Sequence, residues 1–153
     1  MANDKRLSKS EARQQRKQLG RSAAPPEPID DKPFMWSVDD IDHDYKGEWD
    51  WDLAPKETAD LLHLLASTSG MTWRQIKALK TNSRYKSHPL HHGQPVDSIC
   101  KEAQDRLSVL RLDLEDVFRL RHGNLTRVWG HLQGSVFRIV WYDRAHKVCP
   151  SEK

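Results

Sequence analysis

The chain has 153 residues, 37% hydrophobic and 31% charged, with a mean hydropathy of −0.83. That length favours one compact domain, and the low apolar share predicts that part of the chain stays outside the core. The formal charge of +3 hides three zones: residues 1–21 hold seven Lys/Arg against two Asp/Glu, residues 22–70 three against twelve, and residues 71–153 fifteen against eight. No run approaches a membrane span, so no membrane partner is expected. The first residues lack the apolar stretch of a signal peptide. Two cysteines, Cys100 and Cys149, exclude a disulfide scaffold, and reduced thiols in a cytoplasmic protein are the expectation.

Residues 1–33 read as a basic, disordered tail with a Pro-rich linker. Lys5, Arg6, Lys9, Arg13, Arg16 and Lys17 recur too often, and apolar residues too rarely, for a buried helix. Ser8 and Glu11 have the spacing of a capping box, but the helix they open is polar all round. Pro25, Pro26 and Pro28 then stop any helix. Residues 34–54 form an acidic arm carrying Trp36, Trp49 and Trp51, three of the six tryptophans. Exposed indole is costly, so the arm is expected to dock its aromatics on the domain and show its acids to water; a recognition segment for a basic partner is the other account.

A compact domain is expected over residues 55–150. Pro55 opens a helix with Glu57 and Asp60 near its positive end, and Leu61, Leu62, Leu64 and Leu65 supply an apolar face ended by Ser67–Gly70. Thr72 and Gln75 form a capping box for a second helix, buried through Trp73, Ile76 and Leu79. Residues 81–94 read as loop, with His88, His91 and His92. A third helix is predicted from Pro95, with Val96, Ile99, Cys100, Ala103, Leu107 and Leu110 on one stripe.

The period then changes from helix to strand. Val117–Arg121, Thr126–Trp129 and Val136–Tyr142 alternate as strands, joined by turns at His122-Gly123-Asn124 and Gln133-Gly134-Ser135. The predicted class is α+β: N-terminal helices packed on a short antiparallel meander, behind an irregular arm. Alternation puts Phe118 and Leu120 towards the helices and Arg119 and Arg121 on the other face, with Arg127 and Arg138 beside them. Four arginines on one open sheet surface would make a phosphate platform; the bland account is that they simply solvate that face.

Helices followed by a basic meander with arginines on successive strands resemble the toxin superfamily of RelE and ParE type. The residues that carry the likeness are Phe118-Arg119-Leu120-Arg121, Arg127-Val128-Trp129-Gly130, Phe137 through Asp143, and His146. The resemblance implies an antiparallel sheet packed by N-terminal helices and cleavage of messenger RNA, often on the ribosome, or poisoning of gyrase. It also implies an antitoxin-like protein partner and a catalytic residue in the C-terminal tail, here His146.

Metal-free cleavage of RNA needs a base for the 2′-hydroxyl, cations on the phosphate and an acid for the leaving oxygen. His131, Arg138, Tyr142 and His146 are the candidates. RNA contact is expected from Arg119, Arg121, Arg127 and Arg138 together with Lys5, Arg6, Lys9 and Arg13. No metal or cofactor is expected: there is no C-x-x-C, H-E-x-x-H, Walker A loop or dinucleotide fingerprint, and His146 with Cys149 supplies too few zinc ligands. Two function classes follow. One is an RNA-binding protein with metal-independent endoribonuclease activity; the other is a non-enzymatic adaptor on nucleic acid or the ribosome. A third arrangement has the acidic arm blocking the arginines of its own domain.

Overall fold

A computed structural model describes residues 28–81 and 86–150; the expectations for Lys5, Arg6, Lys9 and Arg13 and for the Ser8–Glu11 cap lie outside them. The fold is α+β, with helices preceding most of a five-stranded sheet. The helices α1 (Pro55–Ser69), α2 (Trp73–Ala78) and α3 (Lys101–Val109) accompany strands β1 (Met35–Ser37), β2 (His92–Pro95), β3 (Asp116–His122), β4 (Thr126–Gln133) and β5 (Val136–Asp143). The order across the sheet is β1-β5-β4-β3-β2.

The local signals act as their chemistry requires. Pro55 starts α1, and the Glu57 carboxylate accepts the Ala54 backbone N–H at 2.8 Å. Thr72 and Gln75 bond each other's backbone N–H groups to open α2. Both predicted hairpins form, with Gly123 at φ +65° and Gly134 at φ +58° supplying the left-handed turn residues.

The sheet is mixed rather than an antiparallel meander. β1 lies parallel to β5, from Met35↔Val136 to Ser37↔Arg138, so a strand sits inside the stretch read as an irregular arm. β2 pairs antiparallel with β3 in what reads as loop. Its sequence, His-Gly-Gln-Pro, has no strand character; β3 imposes the pairing. The third helix starts later than predicted. Val96–Ser98 is a short 3₁₀ turn, and Ile99 and Cys100 are extended. There Val96 N–H bonds the Glu115 carbonyl and Cys100 N–H the Val148 carbonyl, tertiary partners that replace the helical ladder. Cys100 is therefore the N-cap residue of α3, not a mid-helix residue.

Two cores sandwich the sheet. On the first face Leu64 and Leu65 of α1 and Trp73 and Ile76 of α2 pack on Phe118, Leu120, Val128, Phe137, Ile139 and Tyr142. On the second, Ala103 and Leu107 of α3 join Tyr45, Trp49, Val117, Trp129, Val140, Trp141 and Val148. Strict alternation would put Val140 and Trp141 on opposite faces. A register shift between Trp129↔Trp141 and Gly130↔Ile139 leaves Val140 without a cross-strand partner and sends both side chains to the second core. The arm wraps the edge of β5 at this bulge. The Val140 carbonyl accepts Asp42 N–H at 3.1 Å and the Trp51 indole N–H at 2.8 Å. Ile41 and Trp51 pack against the first core, while Tyr45 stacks on Trp49 at 3.7 Å in the second.

Candidate functional site

The four arginines of the meander share the second face, as alternation requires, but that face is covered. Arg138 on β5 and His131 on β4 are cross-strand neighbours, and one carboxylate from the arm closes both. Arg138 donates from Nε to Asp40 Oδ2 at 2.7 Å and from Nη2 to Oδ1 at 3.1 Å, a bidentate fork. His131 Nε2 lies 2.8 Å from Asp40 Oδ2. An ionised carboxylate only accepts, so Nε2 carries the proton. The Arg138 hydrogen bond holds the Asp40 carboxyl below the usual carboxylate range, against a smaller opposing effect of burial. One step along the arm, Asp42 is 1% exposed and takes a second fork from Arg106, at 2.9 and 2.7 Å, plus the Trp141 indole N–H at 3.0 Å.

The remaining arginines serve the other end of the sheet. Arg119 is 3% exposed and donates to the Leu90 carbonyl at 3.1 Å and to His92 Nε2 at 2.6 Å. His92 Nδ1 in turn lies 3.1 Å from the Gly93 carbonyl, so this ring is neutral with its proton on Nδ1. His91 is buried and its Nδ1 accepts the Arg121 backbone N–H at 2.9 Å. Burial, then the neighbouring Arg119 and His92, push His91 down to about 4. Arg127, also 3% exposed, donates to the Asn124 and Thr126 carbonyls, and the half-buried Arg121 to the Gly123 carbonyl. Arg127 pairs with Asp143, five residues along β5 from Arg138, or about 16 Å at strand rise.

The proton carriers are dispersed as well. Tyr142 is 1% exposed in the first core, on the opposite face from Arg138 and His131. Burial raises its hydroxyl pKa. His146 sits past β5 in a left-handed conformation, φ +57°, in a turn held by the buried Asp143. That carboxylate accepts the Lys147 and Val148 backbone N–H groups and the Trp129 indole N–H. Beside the Asp40 centre, His131 also lines a groove of about 650 Å³ at the end of the sheet. Lys77, Gly93, Gln94, Pro95, Asp113, Leu114, Glu115, Asp116, Val117, Phe118 and Leu132 complete it.

No family model, no curated protein and no solved structure matches this chain.

Among the described residues no group of three or more His, Cys, Asp or Glu is placed to hold a metal ion, and no helix is long and apolar enough to cross a membrane. Both cysteines are free thiols; Cys149 is buried, with its Sγ donating to the Ser98 carbonyl at 3.3 Å. The centre that does form joins one guanidinium, one imidazole and one carboxylate. Its carboxylate stands where a phosphate or another anion would meet the Arg138 fork. Asp40 and Asp42 are the partners that residue-by-residue reading missed. The density of acids in the arm was visible, but pairings 98 and 64 residues away carry no local signal.

Proposed function

We propose that this chain is an RNA-associated adaptor that binds through its basic N-terminal segment and does not itself cleave RNA. The observation that carries the reading is the state of Arg138. Its fork and the adjacent His131 are filled by Asp40, while Tyr142 faces the other side of the sheet. Base, phosphate clamp and acid must all reach one scissile phosphate. The candidates for those roles do not share a cleft, and Arg119 and Arg127 are spent on carbonyls beneath the surface. A binding role asks for less: exposed cations, and an anchor for a protein partner. Met35, Trp36 and Val38 on and beside the edge strand β1 are 52%, 42% and 49% exposed and offer such an anchor.

The test incubates end-labelled RNA with the full chain, alone and in a translating lysate, with and without EDTA. The expected result is no cleavage under any condition and salt-sensitive binding that drops when Lys5, Arg6, Lys9 and Arg13 are all changed to Gln. Chelation-resistant cleavage that falls at least tenfold in Arg138→Ala or His146→Ala would overturn the adaptor.

The Asp40 bridge favours one further reading, a nuclease held shut by its own arm. That reading expects Asp40→Ala to cleave RNA where wild type does not, and Asp40→Ala/Arg138→Ala to lose the gain. A silent Asp40→Ala protein with an unchanged fold eliminates it.

A further inference from the structure

We propose that the groove at the end of the sheet receives the chain's own basic N-terminal segment, residues 1–21, and so competes with RNA for the same cations. The competition, and only that, rests on the RNA-binding reading above.

The groove is lined by apolar residues and by acids. Pro95, Leu114 and Leu132 contribute apolar surface beside the strand residues Val117 and Phe118, and Asp113, Glu115 and Asp116 stand exposed at the rim. The one lysine of the lining, Lys77, is engaged by Asp30 at 2.8 Å. A phosphate backbone is repelled by such a rim, whereas a segment that places an apolar residue between cations fits it. Residues 1–21 have that pattern twice: Leu7 between Lys5-Arg6 and Lys9, and Leu19 between Lys17 and Arg21.

The route is also short. The described chain starts at Pro28, and the Asp30–Lys77 pair puts that start at the groove's own margin. Six residues lie between Arg21 and Pro28, so the two are seven steps apart, an extended reach of up to about 24 Å. A tethered segment meets its site at an effective concentration near millimolar, so weak contacts suffice. Cations paired with the rim are then withheld from phosphates, and RNA must displace them.

The test uses the full chain, mixed in equal amounts as isotopically light and heavy protein and treated with a carbodiimide at low ionic strength. Amide links should join Lys5, Lys9 or Lys17 to Asp113, Glu115 or Asp116 within single chains. Their yield should fall at least fivefold in 0.5 M salt (roughly a 4 Å Debye length), and likewise in Leu132→Lys, which puts a cation into the lining but keeps the reacting carboxylates. Links that land instead on residues 39–52, that pair light with heavy chains, or that ignore Leu132→Lys in a protein with wild-type melting would overturn the proposal. A second arm measures single-stranded RNA binding by wild type and by Asp113→Asn/Glu115→Gln/Asp116→Asn, expected to bind at least threefold tighter. Equal RNA affinity without intramolecular links refutes the groove and spares the RNA reading. Intramolecular links in a protein that binds no RNA refute the RNA reading and spare the groove.

Discussion

Asp42 shows how much one arm residue contributes to the fold. At 1% exposure it satisfies the Arg106 fork and the Trp141 indole, and its backbone N–H ties the arm to the β5 bulge. Burial pushes its carboxyl up, but the hydrogen bonds from Arg106 and Trp141 outweigh it and the net direction is down. Asp42→Ala strands a partly buried guanidinium and an indole N–H, at a cost of about 3 kcal/mol. Urea denaturation should show that loss, and Asp42→Ala/Arg106→Met should recover part of it, because the second change removes the stranded charge. His91 makes a separable contribution with pH. Its folded value of about 4 lies below the ordinary 6.5, so the unfolded chain takes up the proton first. The sign follows: stability is full above pH 6.5, declines as pH falls towards 4, and is lower by about 3 kcal/mol below that. Asp42 acts in a more acid window, losing its contribution only as pH falls below the ordinary carboxylate value. Stability measured at pH 7, 5.5 and 4.5 should therefore fall in wild type and fall less in His91→Gln; parallel curves would remove His91 as the cause.

At the level of elements, the bulge in β5 makes a demand that β4 meets with Gly130. A Cβ built there would lie 2.0 Å from the Arg138 carbonyl oxygen and 2.8 Å from the Phe137 ring. The first contact is with backbone, which cannot rotate aside, so Gly130→Ala should cost about 3 kcal/mol and be felt along the β4–β5 ladder. Hydrogen exchange should rise first at Phe137–Trp141; a variant as stable as wild type with unchanged exchange would contradict this packing. Such a glycine was not legible as special, because nothing local marks the register shift across from it. The elements that were legible carry their own chemistry. Pro55 and Glu57 start α1, Thr72 and Gln75 start α2, and the glycines at 123 and 134 turn the hairpins. The three strands of the meander also follow directly from their alternation. β1 and β2 were not legible, since Met-Trp-Ser and His-Gly-Gln-Pro become strands only because β5 and β3 offer them an edge. The break at Ile99–Cys100 likewise comes from partners at Glu115 and Val148, distant in sequence.

Across the whole molecule, charge sorts the chain more clearly than any motif. Alternation placed the meander arginines on the second face, but it could not foresee that Tyr45, Trp49 and α3 would cover that face or that Asp40 would reach Arg138. The sequence allows the acids of the arm either to point into water or to cover arginines of the domain; Asp40 and Asp42 reach Arg138 and Arg106. The remaining surplus is then easy to locate. Residues 1–21 carry seven Lys/Arg against two Asp/Glu, while residues 22–153 carry eighteen against twenty, so the positive excess of the chain lies in its first 21 residues. RNA binding, as proposed, must draw on those seven cations and release counterions in proportion. For a single-stranded RNA the slope of log K against log salt should be no steeper than about −5, and changing Lys5, Arg6, Lys9 and Arg13 to Gln should flatten it by about 3. Arg121→Gln, which removes a half-buried cation of the sheet, should leave the slope where it was. Fluorescence anisotropy of a labelled oligonucleotide between 50 and 300 mM salt (roughly the range in which phosphate contacts dominate affinity) reads both slopes directly. A slope that survives the four N-terminal changes but shallows in Arg121→Gln would move the RNA contact onto the folded body and reopen the sheet face as its platform.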